Sequence, residues 1–260
     1  MKSIYKREVA RALRECKEIP RELLTEKDIA HLPEPVQKYL RFAKVLGRAK
    51  VDNVFIKGSG RIRSKPGGGW MKFYSEQQNF FKNPFRAFYL EAYKMGIPAF
   101  GLHLYKDATA SMVIKLLGLF KVVDARGPEM DQGETVTVFN DMCFMAPASL
   151  IDKNIAWEPI DPLHVNAVFK NGSINIRATL VFDSEGKLVN FISPDRFETT
   201  DGKLYLNYIW ETPVVSYGTI NGCYLPTKAN VVYKHPEGDF CYLEFEVIDV
   251  VYNKTNTHGQ

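Results

Sequence analysis

Asp124, Arg126, Glu129, Asp131 and Glu134 form the one polar constellation in this chain whose residue types and spacing could carry reactivity. Carboxylates held near a guanidinium can have shifted pKa values and can act as general acid or base. One reading is therefore an enzyme with Glu134 or Asp124 as general base and Arg126 holding an anionic substrate group. The structural reading pairs Asp124 with Arg126 and uses Asp131 and Glu134, three residues apart, as a capping box that opens a helix. Spacing alone leaves both open, and the balance leans away from catalysis.

Other reactive residue types are scattered. His31, His103, His164, His235 and His258 stand alone, without an HExxH motif or a pair at metal-ligand spacing, and read as surface or internally satisfied residues. Cys16, Cys143, Cys223 and Cys241 lie far apart with no CxxC, as reduced core residues would. Neither a metal nor a cofactor is expected. Gly67-Gly-Gly69 is followed by no Gly-Lys-Ser/Thr and reads as a hairpin turn; Gly58-Ser-Gly60, inside a strand pattern, reads as a bulge or a close backbone contact.

The elements that must position the constellation lie between positions 107 and 152. Residues 112–123 are apolar except for Lys115, Gly118 and Lys121, too short a run for the ~20 residues of a membrane span, and so either a core element or an interfacial one. A strand that turns at Gly118 and resumes at Val122 fits best. Gly127-Pro128 reads as a turn, and a helix is predicted over about 131–145, with Val136, Phe139, Met142, Cys143 and Ala146 on one face and Pro147 at its end or at a fresh start.

Upstream, residues 3–18 have the pattern of an amphipathic helix stopped by Pro20. Val9, Leu13, Cys16 and Ile19 lie near one face, and Lys6, Arg7, Arg11, Arg14 and Lys17 on the rest. Thr25 and Asp28 have capping-box spacing, and Pro35 starts a third helix with Val36, Tyr39, Leu40 and Ala43 inward and Gly47 as its stop. From residue 51 the chain turns to alternating β-branched and aromatic runs. Candidate strands are 52–63, 70–81, 85–94, 101–114, 154–159, 164–170, 173–183, 187–192, 204–217, 223–234 and 240–252. Gly-containing turns centred on Gly172, Gly186, Gly202, Gly222 and Gly238 join later runs as hairpins.

The predicted fold is α+β: a curved antiparallel meander of about ten strands, a half-barrel or barrel, around a central helix with N-terminal helices outside. The domain reading is one body: a helical annex at 1–50, a sheet domain at 51–253 and a tail at 254–260. At 260 residues and 45% hydrophobic composition, the chain can bury a substantial core. The net charge of +4 is uneven: residues 1–50 carry 13 Lys or Arg against 7 Asp or Glu. The first helix could therefore touch an anionic membrane weakly, or dock on the protein's own sheet. The N-terminal sequence lacks the apolar segment of a signal peptide, so a cytoplasmic setting, peripheral to the membrane at most, is expected. The sequons at Asn171 and Asn253 then have no role, and no nucleic-acid partner is expected.

Several stretches are distinctive: LPEPVQKYLRFAKVLG (32–47), GGWMKFYSEQ (68–77), LLGLFKVVDARGPEMDQGE (116–134), FMAPASLIDKNIAWEPID (144–161) and SPDRFETTDGKL (193–204). Together they resemble a family of uncharacterised prokaryotic proteins known as a domain of unknown function, over about residues 30–252. That family has no established activity or catalytic residues to carry over. In architecture the chain is also similar to the lipoprotein-carrier fold, a curved half-barrel closed by helices over an apolar cavity, though without the carriers' secretion signal. The leading expectation is non-catalytic binding of a lipid or other apolar ligand in the hollow of the sheet. Trp70, Phe73, Phe80, Phe88, Phe120, Phe139, Met142 and Phe144 are the candidate lining residues. The alternatives are the carboxylate/arginine enzyme and a structural or interaction protein whose aromatics fill a core.

Overall fold

A computed structural model describes residues 1–15 and 21–256. Cys16, Lys17, Ile19, Pro20 and His258, and the expectations placed on them, lie outside the described residues.

Strands β1 (Asn53–Ile62), β2 (Met71–Phe80), β3 (Phe85–Lys94), β4 (Ile97–Lys106), β5 (Thr109–Leu116) and β6 (Phe120–Ala125) form a continuous antiparallel meander. A second meander follows with β7 (Ile155–Asp161), β8 (His164–Asn171), β9 (Ile174–Phe182) and β10 (Leu188–Ser193). After the short pair β11 (Phe197–Glu198) and β12 (Leu206–Asn207) come β13 (Ile209–Glu211), β14 (Val214–Ile220), β15 (Cys223–His235) and β16 (Gly238–Tyr252). β16 pairs with β1, and β15 with β13, so the last strands sit mid-sheet and join the two meanders. The 14-stranded sheet thus has β6 at one edge and β7 at the other, with β14 added on β15.

One helix bridges those two edges. α4 (Pro128–Met145) leaves β6, crosses the concave side of the sheet and reaches β7 through a 3-10 turn at Pro147–Ile151. It packs on β5 and β9, from opposite halves of the sheet, and on the central β15, so the sheet curves around it. Every residue from Gly133 to Asn140 is buried, including Glu134, Thr135, Thr137 and Asn140; no polar face is left to solvent.

The helix starts earlier than its predicted cap. Gly127, at φ 108, is the N-cap and Pro128 the first helical residue, where proline's missing N–H costs nothing. Asp131 is therefore inside the first turn, and its Oδ1 accepts the Ala110 N–H at 2.6 Å instead of capping the helix.

Two strand readings are corrected. Residues 101–114 are parts of two strands, split at Asp107-Ala108, both at positive φ without any glycine. Residues 204–217 break into β12, β13 and the start of β14. β6 resumes at Phe120, two residues before Val122. The bulge expected at Gly58 exists as a register shift against β16 between Lys57 and Gly58.

The N-terminal helices divide between the two sides of the body. α2 (Glu26–Ile29) carries the Thr25–Asp28 capping pair, and α3 (Glu34–Phe42) sinks Val36, Tyr39 and Leu40 into the main core, where the Tyr39 hydroxyl donates to the Cys143 carbonyl at 2.6 Å. α3 ends at Phe42 with Lys44 in the left-handed region, three residues before the expected Gly47 stop. α1 (Lys2–Arg14) lies on the convex face: Tyr5, Val9 and Leu13 pack on Phe80, Phe85, Ala87, Tyr89 and Leu102. Its apolar stripe is covered by the sheet, while Lys6, Arg7, Arg11 and Arg14 remain exposed. No helix among the described residues is long and apolar enough to cross a membrane.

Candidate functional site

Strand alternation builds a hollow between the sheet and α4. On β3, Phe85, Ala87 and Tyr89 face α1, so Arg86, Phe88, Leu90 and Ala92 must face the other way, and these four line a cavity of about 330 Å³. β4 adds Ala99, Gly101 and His103; β5 adds Met112 and Ile114; β15 adds Ala229, Val231 and Tyr233. α4 contributes Met130, Glu134, Asp141 and Phe144 among others. Most of the wall is aliphatic or aromatic; one set of polar groups gathers around α4, and others, Arg63 and Ser64 after β1 and Glu198, Thr199 and Thr200 after β10, lie along its rim.

The polar group is a closed charge network. Arg86 Nη1 donates to Glu134 Oε2 at 2.9 Å, its Nε to Asp141 Oδ2 at 2.8 Å and its Nη2 to Gln77 Oε1 at 3.3 Å. Gln77 and Asn79 donate to the same Asp141 Oδ2 at 2.7 and 2.9 Å. His103 Nδ1 lies 3.2 Å from Glu134 Oε1, and Arg196 Nη2 lies 3.9 Å from that oxygen. Burial opposes ionisation of Glu134, but Arg86, then His103 and Arg196, outweigh it and hold the carboxyl below the usual carboxylate range. An ionised carboxylate only accepts, so His103 carries its proton on Nδ1 in this bond. Two guanidiniums thus face two carboxylates, a compensated set whose members are costly to separate in a dry wall.

Arg196 closes the network from the segment after β10. Its Nη1 donates to the Gly133 carbonyl at 2.7 Å, its guanidinium lies 5.2 Å from the Trp210 ring centroid, and its buried Nε has no partner. Phe197, Glu198, Thr199, Thr200 and Tyr205, on and between β11 and β12, continue over the hollow. That flap is fixed by a 2.6 Å contact from His235 Nε2 to Glu198 Oε2, and by hydroxyl bonds from Tyr233 to Phe197 O and from Tyr205 to Arg126 O.

The constellation read from the sequence is dispersed. Asp124 and Arg126 sit on the outer surface, 3.3 Å apart, with Lys121 at 2.6 Å on Asp124; only Glu129 and Glu134 reach the hollow. Asp124, Arg126 and Glu134 are not brought together. Glu134, expected as a cap, is instead a buried partner of Arg86, because starting the helix at Pro128 turns position 134 inward.

Of the candidate lining residues, Phe88 and Phe144 face the hollow. Phe139 and Met142 fill the core on the other side of α4, where Phe139 stacks on Phe169 at 5.4 Å and meets Phe191 edge-on. Phe73 is buried against Phe245; Phe80 lies under α1; Phe120 is exposed; Trp70 stands between the Arg61 and Arg63 guanidiniums outside the cavity.

Sequence reasoning missed Arg86, Asp141, Gln77, Asn79 and Arg196, and took His103 as isolated. One signal was present: Gln77 and Asn79 are polar at the inward positions of a strand that begins Met71 and Phe73 on the same face, a pattern that needs buried partners. Among the described residues no group of three or more His, Cys, Asp or Glu could hold a metal ion.

The model of a family of unknown function, DUF6544, matches residues 22–245. The chain belongs to that family. No curated protein matches it. Among solved structures it is similar to a DUF1329 family protein from Desulfovibrio piger, at 10% identity and TM-score 0.45 over 84% of this chain and 92% of that one. It is also similar to a LolA superfamily protein from Nitrosomonas europaea, at 10% identity and TM-score 0.43 over 85% and 92%. A third is an outer membrane lipoprotein-sorting protein domain from Vibrio parahaemolyticus, at 10% identity and TM-score 0.42 over 77% and 85%.

Proposed function

We propose that this member of the family binds a lipid or another apolar small molecule in the hollow, without chemical turnover. The observation that supports it is the cavity of about 330 Å³, walled by residues such as Phe88, Leu90, Ala92, Ala99, Met112 and Ile114. Protein interiors are normally filled to near-crystal density, so an apolar space of this size, at the low end of the ~300–1,000 Å³ range of small-molecule sites, fits a ligand of one chain or ring system. Arg86, Glu134 and Asp141 are engaged with one another, and the Asp124–Arg126 pair that a catalytic reading would use lies outside.

Native mass spectrometry of the purified protein, before and after solvent extraction, tests this together with titration of the extracted protein by a fluorescent acyl probe. Expected are a releasable co-purifying ligand, and loss of probe affinity by tenfold or more in Ala92→Trp and Ala99→Trp, which fill the hollow. Undiminished probe binding in both variants, with no releasable ligand in the parent, overturns the proposal.

A further inference from the structure

Successive antiparallel strands return their turns to alternate ends of a sheet, so the β1–β2, β3–β4 and β5–β6 turns share one end. That end is unusual in what it exposes. Met95 is 96% exposed, Leu119 76% and Phe120 62%, with Ile97 and Leu117 exposed beside them. The registers join them into one patch: Lys94 pairs with Ile97, Ala99 with Leu116, and Leu116 with Phe120, while the Leu117 N–H donates to Pro98 O at 2.9 Å. Turn residues have no packing reason to be large and apolar, and a contiguous patch of this kind marks an interaction surface.

Charge selects the partner. The three turn segments, residues 63–72, 93–98 and 115–121, carry Arg63, Lys65, Lys72, Lys94, Lys115 and Lys121 and no Asp or Glu; the β15–β16 turn reaches the same end beyond β1, away from the apolar tips, and carries Glu237 and Asp239, the latter paired to Lys234. Lys121 is paired to Asp124 on β6; Lys65, Lys94 and Lys115 have no ion pair among the described residues. A second copy docking through the same end would bring like charges together. An anionic lipid surface instead meets both features at once, with apolar tips entering the interface and lysines at headgroup level. The hollow is lined at this same end by Ile62, Met71, Ala92, Ala99 and Ile114, with Arg63 and Ser64 beside them, next to the exposed tips.

We infer that the β1–β2, β3–β4 and β5–β6 turns dock the protein on an anionic lipid surface, with this end of the hollow turned toward it. The surface observation stands apart from the ligand reading, because the exposed tips do not line the hollow.

The full chain is co-sedimented with vesicles of phosphatidylcholine alone and of phosphatidylcholine with phosphatidylglycerol, at low and high salt. Binding is expected only to the phosphatidylglycerol vesicles and to fall with salt. Leu119→Glu with Phe120→Glu should weaken it at least tenfold, and Lys94→Gln and Lys115→Gln on the order of fivefold each. Arg7→Glu with Arg11→Glu, on the exposed side of α1, should leave it within about twofold of a purely non-local charge effect. Absence of binding by the parent, equal binding by the Leu119/Phe120 variant, or a dimer that this variant dissociates overturns the inference. Acyl-probe binding measured on the same variant without vesicles separates the two readings, since it is retained if the hollow binds ligand whether or not the tips meet a membrane.

Discussion

Arg86 is the residue on which the interior network converges, engaging Glu134, Asp141 and Gln77 from one guanidinium. Removing one member of a buried ion pair strands the other, so Arg86→Met should cost about 3–5 kcal/mol, read as a lower urea midpoint at unchanged slope. Glu134 sets the pH dependence. Its folded-state pKa is depressed while the unfolded value is about 4.3, so its ionised form adds stability that is fully present above that value and is lost as pH falls below it. The gap in urea midpoint between the parent and Glu134→Gln should therefore be widest at neutral pH and close as the solution is acidified below about 4. A gap independent of pH would show that Glu134 is not ionised in the folded protein. Beyond the inward Gln77 and Asn79, this network was not legible from the local sequence: Arg86 and Asp141 are 55 positions apart, and only strand register and helix phase bring them within 2.8 Å.

At the scale of elements, strands and hairpins were the most readable part, because period-two alternation and Gly-containing turns are local signals. Asn221-Gly222, at φ 48 and 79, is the turn its sequence promised. The failures have local causes too. Asp107-Ala108 makes the same kind of turn without glycine, so two strands were read as one. Gly127-Pro128 resembled a turn because proline both breaks helices and begins them, and the wrong choice misplaced Asp131 and Glu134. Glycine at position 60 shows what an element can demand of one residue. It sits at φ 155, and a Cβ there would lie 1.9 Å from the Glu244 carbonyl oxygen on β16. Gly67, at φ 67, has no atom within 4 Å of such a Cβ. Gly67→Ala should then cost only the left-handed strain of about 1–2 kcal/mol, whereas Gly60→Ala must push β1 and β16 apart and should lower the melting temperature much further. Equal shifts in a thermal scan would contradict the close approach of these two strands at Gly60.

For the whole molecule, the decisive contacts are those that local pattern cannot carry: β1 beside β16, and α4 spanning from the β6 edge to the β7 edge. They convert a linear meander into a curved wall with an occupied concave side, and they also decide what the N-terminal helices are for. Leu24, Ile29, Leu32, Val36, Tyr39 and Leu40 belong to the same core cluster as α4 and the β8–β9 strands, whereas α1 covers a separate patch on the convex face. Helices α2 and α3 should accordingly be inseparable from the sheet. A chain lacking residues 1–50 would expose that core and should fail to fold, while one lacking residues 1–15 should fold with reduced stability, since α1 covers the separate patch of Phe80, Phe85, Ala87, Tyr89 and Leu102. Tyr39→Phe supplies a finer probe: it leaves the ring in place but strips the Cys143 carbonyl of its hydroxyl donor, at about 1–3 kcal/mol. If residues 21–256 are one cooperative body, calorimetry of the full chain shows a single transition that Tyr39→Phe moves as a whole. A first transition that shifts while a second stays fixed would make the helical segment a separate unit and refute the single core.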